Sequence, residues 1–224
     1  MTTPEASTVL LVDLDNTLID ASGASAAINA ALHASLGEAT AARFWACYEE
    51  VRADLGYVDI REAMLRLGRE RGDASVLAPL VDAVYGVDYR SLLYPGALDA
   101  LTHARGIGLP VVVTDGHPGY QRHKALAAGV SAAVEGRVLV YDDKTREIEE
   151  ITTRFPAGHY VVIDDKPSVH AAFKVALGPR VTTVLVEQGR YAREGEAVTP
   201  PPDLRLPSIA AFAGLSAGAL RPAG

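Results

Sequence analysis

LVDLDNTLID, residues 11–20, decides how the rest of the chain is read. It closes the run TVLLVDL (8–14), short, continuously apolar and rich in β-branched residues. Such a run suits a strand covered on both faces. The strand ends in Asp13, followed by Asp15, Asn16 and Thr17. In an open parallel sheet, ligands bind at the carboxyl ends of the strands. Alternate residues point the same way, so Asp13 and Asp15 approach one place. Two carboxylates that close repel, and either one takes a proton or both share a cation.

Similar runs recur at 109–114 (LPVVVT), 137–141 (RVLVY), 160–163 (YVVI) and 181–186 (VTTVLV). Helical stretches at 95–105, 119–129 and 167–177 alternate with them. Strands alternating with helices imply βαβ units, hence an α/β protein with a Rossmann-like parallel sheet. The alternation breaks once. Between about Ala21 and Arg90 no strand is evident, and amphipathic stretches run at 22–36, 40–55, 59–71 and 73–85. Asp59 and Asp73 read as N-caps, and Gly37, Gly56 and Gly72 as stops. An insert of roughly 70 residues is too long for an ordinary crossover. We therefore expect a core of residues 1–20 and 91–224 with a helical cap at 21–90. After Pro200, Pro201 and Pro202 the tail is expected to end in a helix near 207–215.

Two more strand ends carry chemistry. Thr114, Asp115 and Gly116 close one; a Thr hydroxyl and a Gly amide at such a loop can hold a phosphate oxygen. VVIDDKP (161–167) presents Asp164 and Asp165, an expensive pair after an apolar run unless a cation sits there. The chain has four lysines: Lys124, Lys144, Lys166 and Lys174. Lys144 follows the RVLVY strand and opens a helical stretch, where a cation opposes the helix dipole unless carboxylates or a phosphate lie near. Lys166, beside the acid pair, is its rival.

Asp13-x-Asp15-x-Thr17, then Thr114-Asp115-Gly116, Lys144 and Asp164-Asp165, in that order, resembles the haloacid dehalogenase superfamily over nearly the whole chain. The insert is similar to that superfamily's type 1 helical cap. The resemblance implies a Mg²⁺-dependent phosphatase acting on a small phosphorylated metabolite. Asp13 would be the nucleophile and form an aspartyl-phosphate. Asp15 would act as acid and base, and would give a backbone carbonyl to the metal. Thr114, Asp115, Gly116, Lys144 and Thr17 would serve the phosphate, and Asp13, Asp15, Asp164 and Asp165 the metal. His117, with Arg52, Tyr57, Arg61 and Trp45 of the insert, would face the leaving group. Haloacid dehalogenases of the superfamily lack the second aspartate, since a departing halide needs no proton. A phosphomutase on the same scaffold is an alternative. So is a phospho-accepting signalling or binding domain, although a receiver's ~120 residues and mid-sheet acceptor leave no place for the insert, and a non-catalytic binding protein would be expected to have lost some of the acids.

Composition narrows the partners. The 224 residues are 49% hydrophobic and 22% charged, with 21 Lys and Arg against 28 Asp and Glu, a net charge of −7. So acidic a chain has no overall field for nucleic acid or an anionic membrane. The single cysteine, Cys47, excludes an intramolecular disulfide and a cysteine-rich zinc site, and reads as buried packing. MTTPEAST (1–8) lacks a basic region and an apolar run, and no stretch offers about 20 apolar residues. We expect a cytoplasmic protein, monomeric or homodimeric.

Overall fold

The structure, a computed structural model, describes residues 6–189, 191 and 197–221. Most of the N-terminal stretch weighed above as a leader lies outside the described residues. Strands β1 (Ala6–Val12), β2 (Leu109–Asp115), β3 (Val138–Tyr141), β4 (Ala157–Asp164), β5 (Val181–Val186) and β6 (Leu204–Leu206) form one sheet. Their order is β3-β2-β1-β4-β5-β6, and every pairing is parallel. The chain thus winds from β1 outward to β3, then returns to lay β4 on the other side of β1. The order reverses between β1 and β4, where a crevice opens outside the strand ends. The register pairs Val12 with Ile163, so Asp13 and Asp164 are the next residues out on either side of that crevice.

The apolar runs are continuous because both faces are covered. Leu10, Val12, Val161 and Ile163 pack on one side with Ala100 and Leu101 of α5 (Ala97–Ile107) and Ala125 of α6 (Pro118–Ala127). Val9, Leu11, Tyr160 and Val162 pack on the other with Ile151 of α8 (Ile148–Arg154) and Phe173 of α9 (Pro167–Leu177). A short helix, α7 (Val130–Ala133), joins α6 to β3.

The insert between β1 and β2 is helical: α1 (Ala21–Leu36), α2 (Glu38–Leu55), α3 (Ile60–Arg71) and α4 (Leu77–Tyr85). Three of the helical starts are capped by an aspartate. Asp20 accepts from the amides of Ser22 and Gly23, Asp59 from Glu62, and Asp73 from Ser75, where a single 3₁₀ turn precedes α4. Gly37, Gly56 and Gly72 stop three of these helices. The insert has its own apolar centre, with Ile28, Leu32, Phe44, Cys47, Leu67 and Leu80 buried together. No described helix is long and apolar enough to cross a membrane.

Two expectations need correction. The tail holds a 3₁₀ turn, Ile209–Gly214, in place of a regular helix. Before it lies β6, which the sequence reading missed: Leu-Arg-Leu is too short to show a period, and it exists as a strand through pairing with β5.

Candidate active site

Asp13 leaves β1 with its amide donating to the Ile163 carbonyl at 2.9 Å, so the two central strands fix its position. Asp164 is the last residue of β4, and Asp165 follows it. Lys144 reaches the same point from the loop after β3. Its ammonium lies 2.6 Å from Asp13 Oδ1 and 2.6 Å from Asp164 Oδ2, and its side chain is 2% exposed. The lysine is held at both ends. Its own amide donates to Asp115 Oδ1 at 2.8 Å, and its ammonium also donates to the Val113 carbonyl at 3.3 Å. Asp164 is steadied in turn. Its Oδ1 accepts from the Lys166 amide at 2.8 Å, and its carbonyl accepts from His170 Nε2 at 3.0 Å.

One ammonium faces three buried carboxylates. Single carboxylate oxygens of Asp13, Asp164 and Asp165 lie within 4.8 Å of one another. Asp13 Oδ2 and both Asp165 oxygens have no partner among the described residues. Burial, reinforced by the charges of Asp164 and Asp13, pushes Asp165 up to about 9. Burial also raises Asp13, to about 7, although Lys144 pulls against it. Lys144 itself moves up: burial favours its neutral form, but Asp13, Asp164 and Asp115 outweigh that. Unpartnered buried carboxylate oxygens are costly. Three hard oxygen ligands with surplus negative charge are the donor set that suits Mg²⁺, so the residues fit that ion. Gly189 adds a steric condition, since its φ is +77° and a Cβ there would sit 3.2 Å from Asp165 Oδ2 and 2.4 Å from Asn16 Cβ.

Asp15 does not join this cluster. Its carboxylate turns to α6, pairing with the Lys124 ammonium and accepting from Gln121 Nε2 at 2.9 Å. Burial alone would raise its pKa, but the Lys124 charge and the hydrogen bonds from Lys124 and Gln121 win, and the net shift is downward. The expectation that Asp15 ligates metal can therefore rest only on its main-chain carbonyl. Lys124 and Gln121 are residues that sequence reasoning missed. The sole available signal was the scarcity of lysine.

Other expectations are met unevenly. Thr114 is buried and lines the cavity above Asp13. The Gly116 amide, proposed for phosphate, is already spent on the Tyr141 carbonyl at 2.7 Å, because the β2–β3 ladder runs one residue further than the apolar pattern. Asp115 is an anchor: its carboxylate takes the Lys144 amide and, at 3.3 Å, the Lys166 ammonium. Thr17 is fully buried and is not among the residues lining the cavity. Lys166 does line it, under the Tyr191 ring, with its ammonium 5.2 Å from the ring centroid. Both rival lysines thus reach the site. Lys144 sits among the carboxylates and Lys166 at their rim.

A cavity of about 360 Å³ rises from Asp13 to the insert. Trp45, Tyr48 and Arg52 of α2 and Tyr57 of the following loop line it, as do His117 and Tyr191. His117 also caps α6, its Nδ1 accepting from the Tyr120 amide at 3.4 Å. Arg61 is exposed and lies off the cavity, because α3 turns its opposite face, with Ile60, Ala63 and Met64, inward. Cys47 is buried, as expected.

Comparison with known proteins agrees with this geometry. The sequence profile of the haloacid dehalogenase-like hydrolases matches residues 8–176. The chain is similar to a solved haloacid dehalogenase-like hydrolase from Burkholderia xenovorans LB400, at 34% identity, covering 95% of this chain and 100% of that one, with a TM-score of 0.87. More distant likenesses show the fold alone. The HAD-hydrolase YfnB from Bacillus subtilis, solved bound to magnesium, is 15% identical, with 90% of this chain and 95% of that one covered and a TM-score of 0.61. A 2-haloacid dehalogenase from Pseudomonas syringae pv. tomato DC3000 is 13% identical, with 92% and 96% covered and a TM-score of 0.63. No curated protein matches the chain.

Proposed function

The chain belongs to the haloacid dehalogenase-like hydrolases, and from that premise we propose that it is a phosphatase acting on a small phosphorylated metabolite with Mg²⁺. One observation carries the reading. Three buried carboxylates surround one ammonium, with Asp13 Oδ2 and both Asp165 oxygens unpartnered among the described residues.

Asp13, Asp164 and Asp165 would hold the cation, joined by the Asp15 carbonyl. When bound, Mg²⁺ supplies the charge neutralisation that lets a carboxylate meet a phosphate dianion. Asp13 attacks phosphorus, forming an O–P bond as the ester P–O bond breaks and leaving an aspartyl-phosphate. Lys144 orients Asp13 through Oδ1, while Thr114 and Lys166 face the transferred oxygens and offset their charge. Asp15 is anionic beside Lys124 in the free protein. A dianion arriving next to it raises its proton affinity, so it can carry a proton to the departing oxygen. It then removes a proton from the water that attacks the aspartyl-phosphate, which frees inorganic phosphate and restores Asp13. Helices α1–α4 serve as the cap, excluding water and reading the leaving group.

The dehalogenase alternative is disfavoured by Asp15. A halide leaves without a proton, so a buried lysine and a glutamine holding a second carboxylate on the cavity would have no task. A mutase would have to keep water from the aspartyl-phosphate. Phosphate release from a panel of sugar phosphates, nucleotides and acyl phosphates tests the reading. We expect release with Mg²⁺, none with EDTA, and recovery when Mg²⁺ is restored. Chloride release from 2-chloropropionate without phosphatase activity would overturn it, and isomerisation without phosphate release would reassign the chain to the mutases.

A further inference from the structure

The phosphatase reading leaves the leaving group open, and the roof of the cavity bears on it. The walls supplied by the insert are Ala24, Ile28, Val58, Ile60 and the rings of Trp45, Tyr48 and Tyr57. Two of their polar groups are already occupied. The Trp45 Nε1–H is already spent on Asn29 Oδ1 at 2.9 Å, and the Ser25 hydroxyl donates to the Ala21 carbonyl at 3.0 Å. Burial pushes the Tyr48 hydroxyl up to about 12, so it stays a neutral phenol that can donate and accept at the edge of its ring. Trp45 stands edge-on to both Phe44 and Tyr48, at 5.1 and 5.4 Å between centroids, which fixes these rings as a rigid surface. A polyol placed here would meet the Tyr48 and Tyr57 hydroxyls and Arg52 but otherwise carbon, leaving its remaining hydroxyls without partners on these walls. A flat apolar ring would cover the aromatic and aliphatic walls instead.

Arg52 is the only charged side chain that the insert contributes to the lining. Its described partners are loose. Glu49 lies 3.7 Å away and is itself 65% exposed, and the Tyr191 hydroxyl lies 3.5 Å away. An exposed pair of that kind is easily displaced. A guanidinium at the rim of an otherwise uncharged wall matches a carboxylate through two parallel hydrogen bonds. The floor takes the phosphate, and the cavity of about 360 Å³ has room for a ring and an anionic arm above it.

We propose that the substrate is a phosphomonoester whose leaving group is a planar ring carrying a carboxylate, the ring lying against Trp45, Tyr48 and Tyr57 and the carboxylate on Arg52. This rests on the phosphatase reading of the same site. The test uses the full chain with Mg²⁺ and three primary phosphate esters of matched chemistry: 3-carboxybenzyl phosphate, benzyl phosphate and glucose 6-phosphate. Acetyl phosphate serves as a control with no body to be read. We expect kcat/KM to fall by about ten-fold at each step along that series. Arg52→Met should bring the first two esters to within about two-fold of each other, chiefly through KM. The proposal is overturned if glucose 6-phosphate is turned over as well as benzyl phosphate. It is equally overturned if Arg52→Met leaves the advantage of the carboxylate intact. Those results, with acetyl phosphate still hydrolysed in an Asp13-dependent way, would leave the phosphatase standing. Failure on acetyl phosphate and on all three esters would remove the phosphatase and this inference together.

Discussion

At the floor of the cavity, Asp13, Asp164, Asp165 and Lys144 are packed with almost no exposure, each 5% exposed or less. On its roof, Trp45, Tyr48 and Tyr57 are only partly buried, and Arg52 is the single charge. The floor is built from backbone that strand pairing fixes, so its charges are brought close at a cost and stay there. The roof is built on helices packed around the apolar centre of Phe44 and Leu80, with Trp45 and Tyr48 resting against that centre. On the proposed reading, chemistry belongs where strand pairing fixes the backbone, and selectivity on side chains that the insert's helices present.

The sharpest way to break this contrast is Asp13→Asn. It keeps the shape and removes the nucleophile, so turnover should fall at least about a thousandfold with the circular dichroism and melting profile of a folded protein. Next comes Lys144→Met. Taking the ammonium that pairs with Asp13 and Asp164 out of this buried cluster should cost about 3–5 kcal/mol of stability and at least about a hundredfold in kcat. Denaturant unfolding beside steady-state kinetics reads both. Lys124→Met separates the two carboxylates that sequence places side by side. It leaves Asp13 untouched but unclamps Asp15, so kcat should drop about ten- to a hundredfold. Acid-quenched samples should accumulate aspartyl-phosphate, because its hydrolysis needs the base.

A smaller effect follows from the surplus charge on the floor. Asp13 and Asp165 have folded values, about 7 and about 9, above those of unfolded carboxylates. The folded state therefore binds the extra protons, and the metal-free protein should lose stability as pH rises from about 4 towards 9. Mg²⁺ should offset the loss, raising Tm by a few degrees more at pH 8.5 than at pH 6. Thermal scans of the chelated and Mg²⁺-loaded protein check the sign. The smallest expected effect is none: Arg61→Ala, an exposed residue off the cavity, should leave kcat/KM within about two-fold for every substrate hydrolysed.

The floor was legible in the sequence because acids at the ends of apolar runs are conspicuous. Asp13, Asp164 and Asp165 stand out from strands that have no other charge, and order along the chain sufficed to group them. The partners of Asp15 were not legible. Lys124 and Gln121 sit three residues apart on α6, where a lysine normally reads as a solvated face, and only the docking of α6 beside the loop after β1 buries them. The Gly116 amide was misread for a related reason. Whether a backbone N–H is free depends on where the neighbouring strand ends, and the Tyr141 carbonyl of β3 reaches it. Arg52 and Arg61 looked equivalent because helical faces can be read within one helix but not oriented between helices.

Trapping the phosphoryl group tests the central claim most directly. The protein is mixed with ³²P-labelled acetyl phosphate and Mg²⁺, quenched in acid within the first turnover, digested and mapped. The account predicts label on the peptide that contains Asp13, approaching one per chain in Lys124→Met and absent both from Asp13→Asn and without the metal. Label on another residue, or phosphate release that Asp13→Asn leaves unchanged, would contradict it.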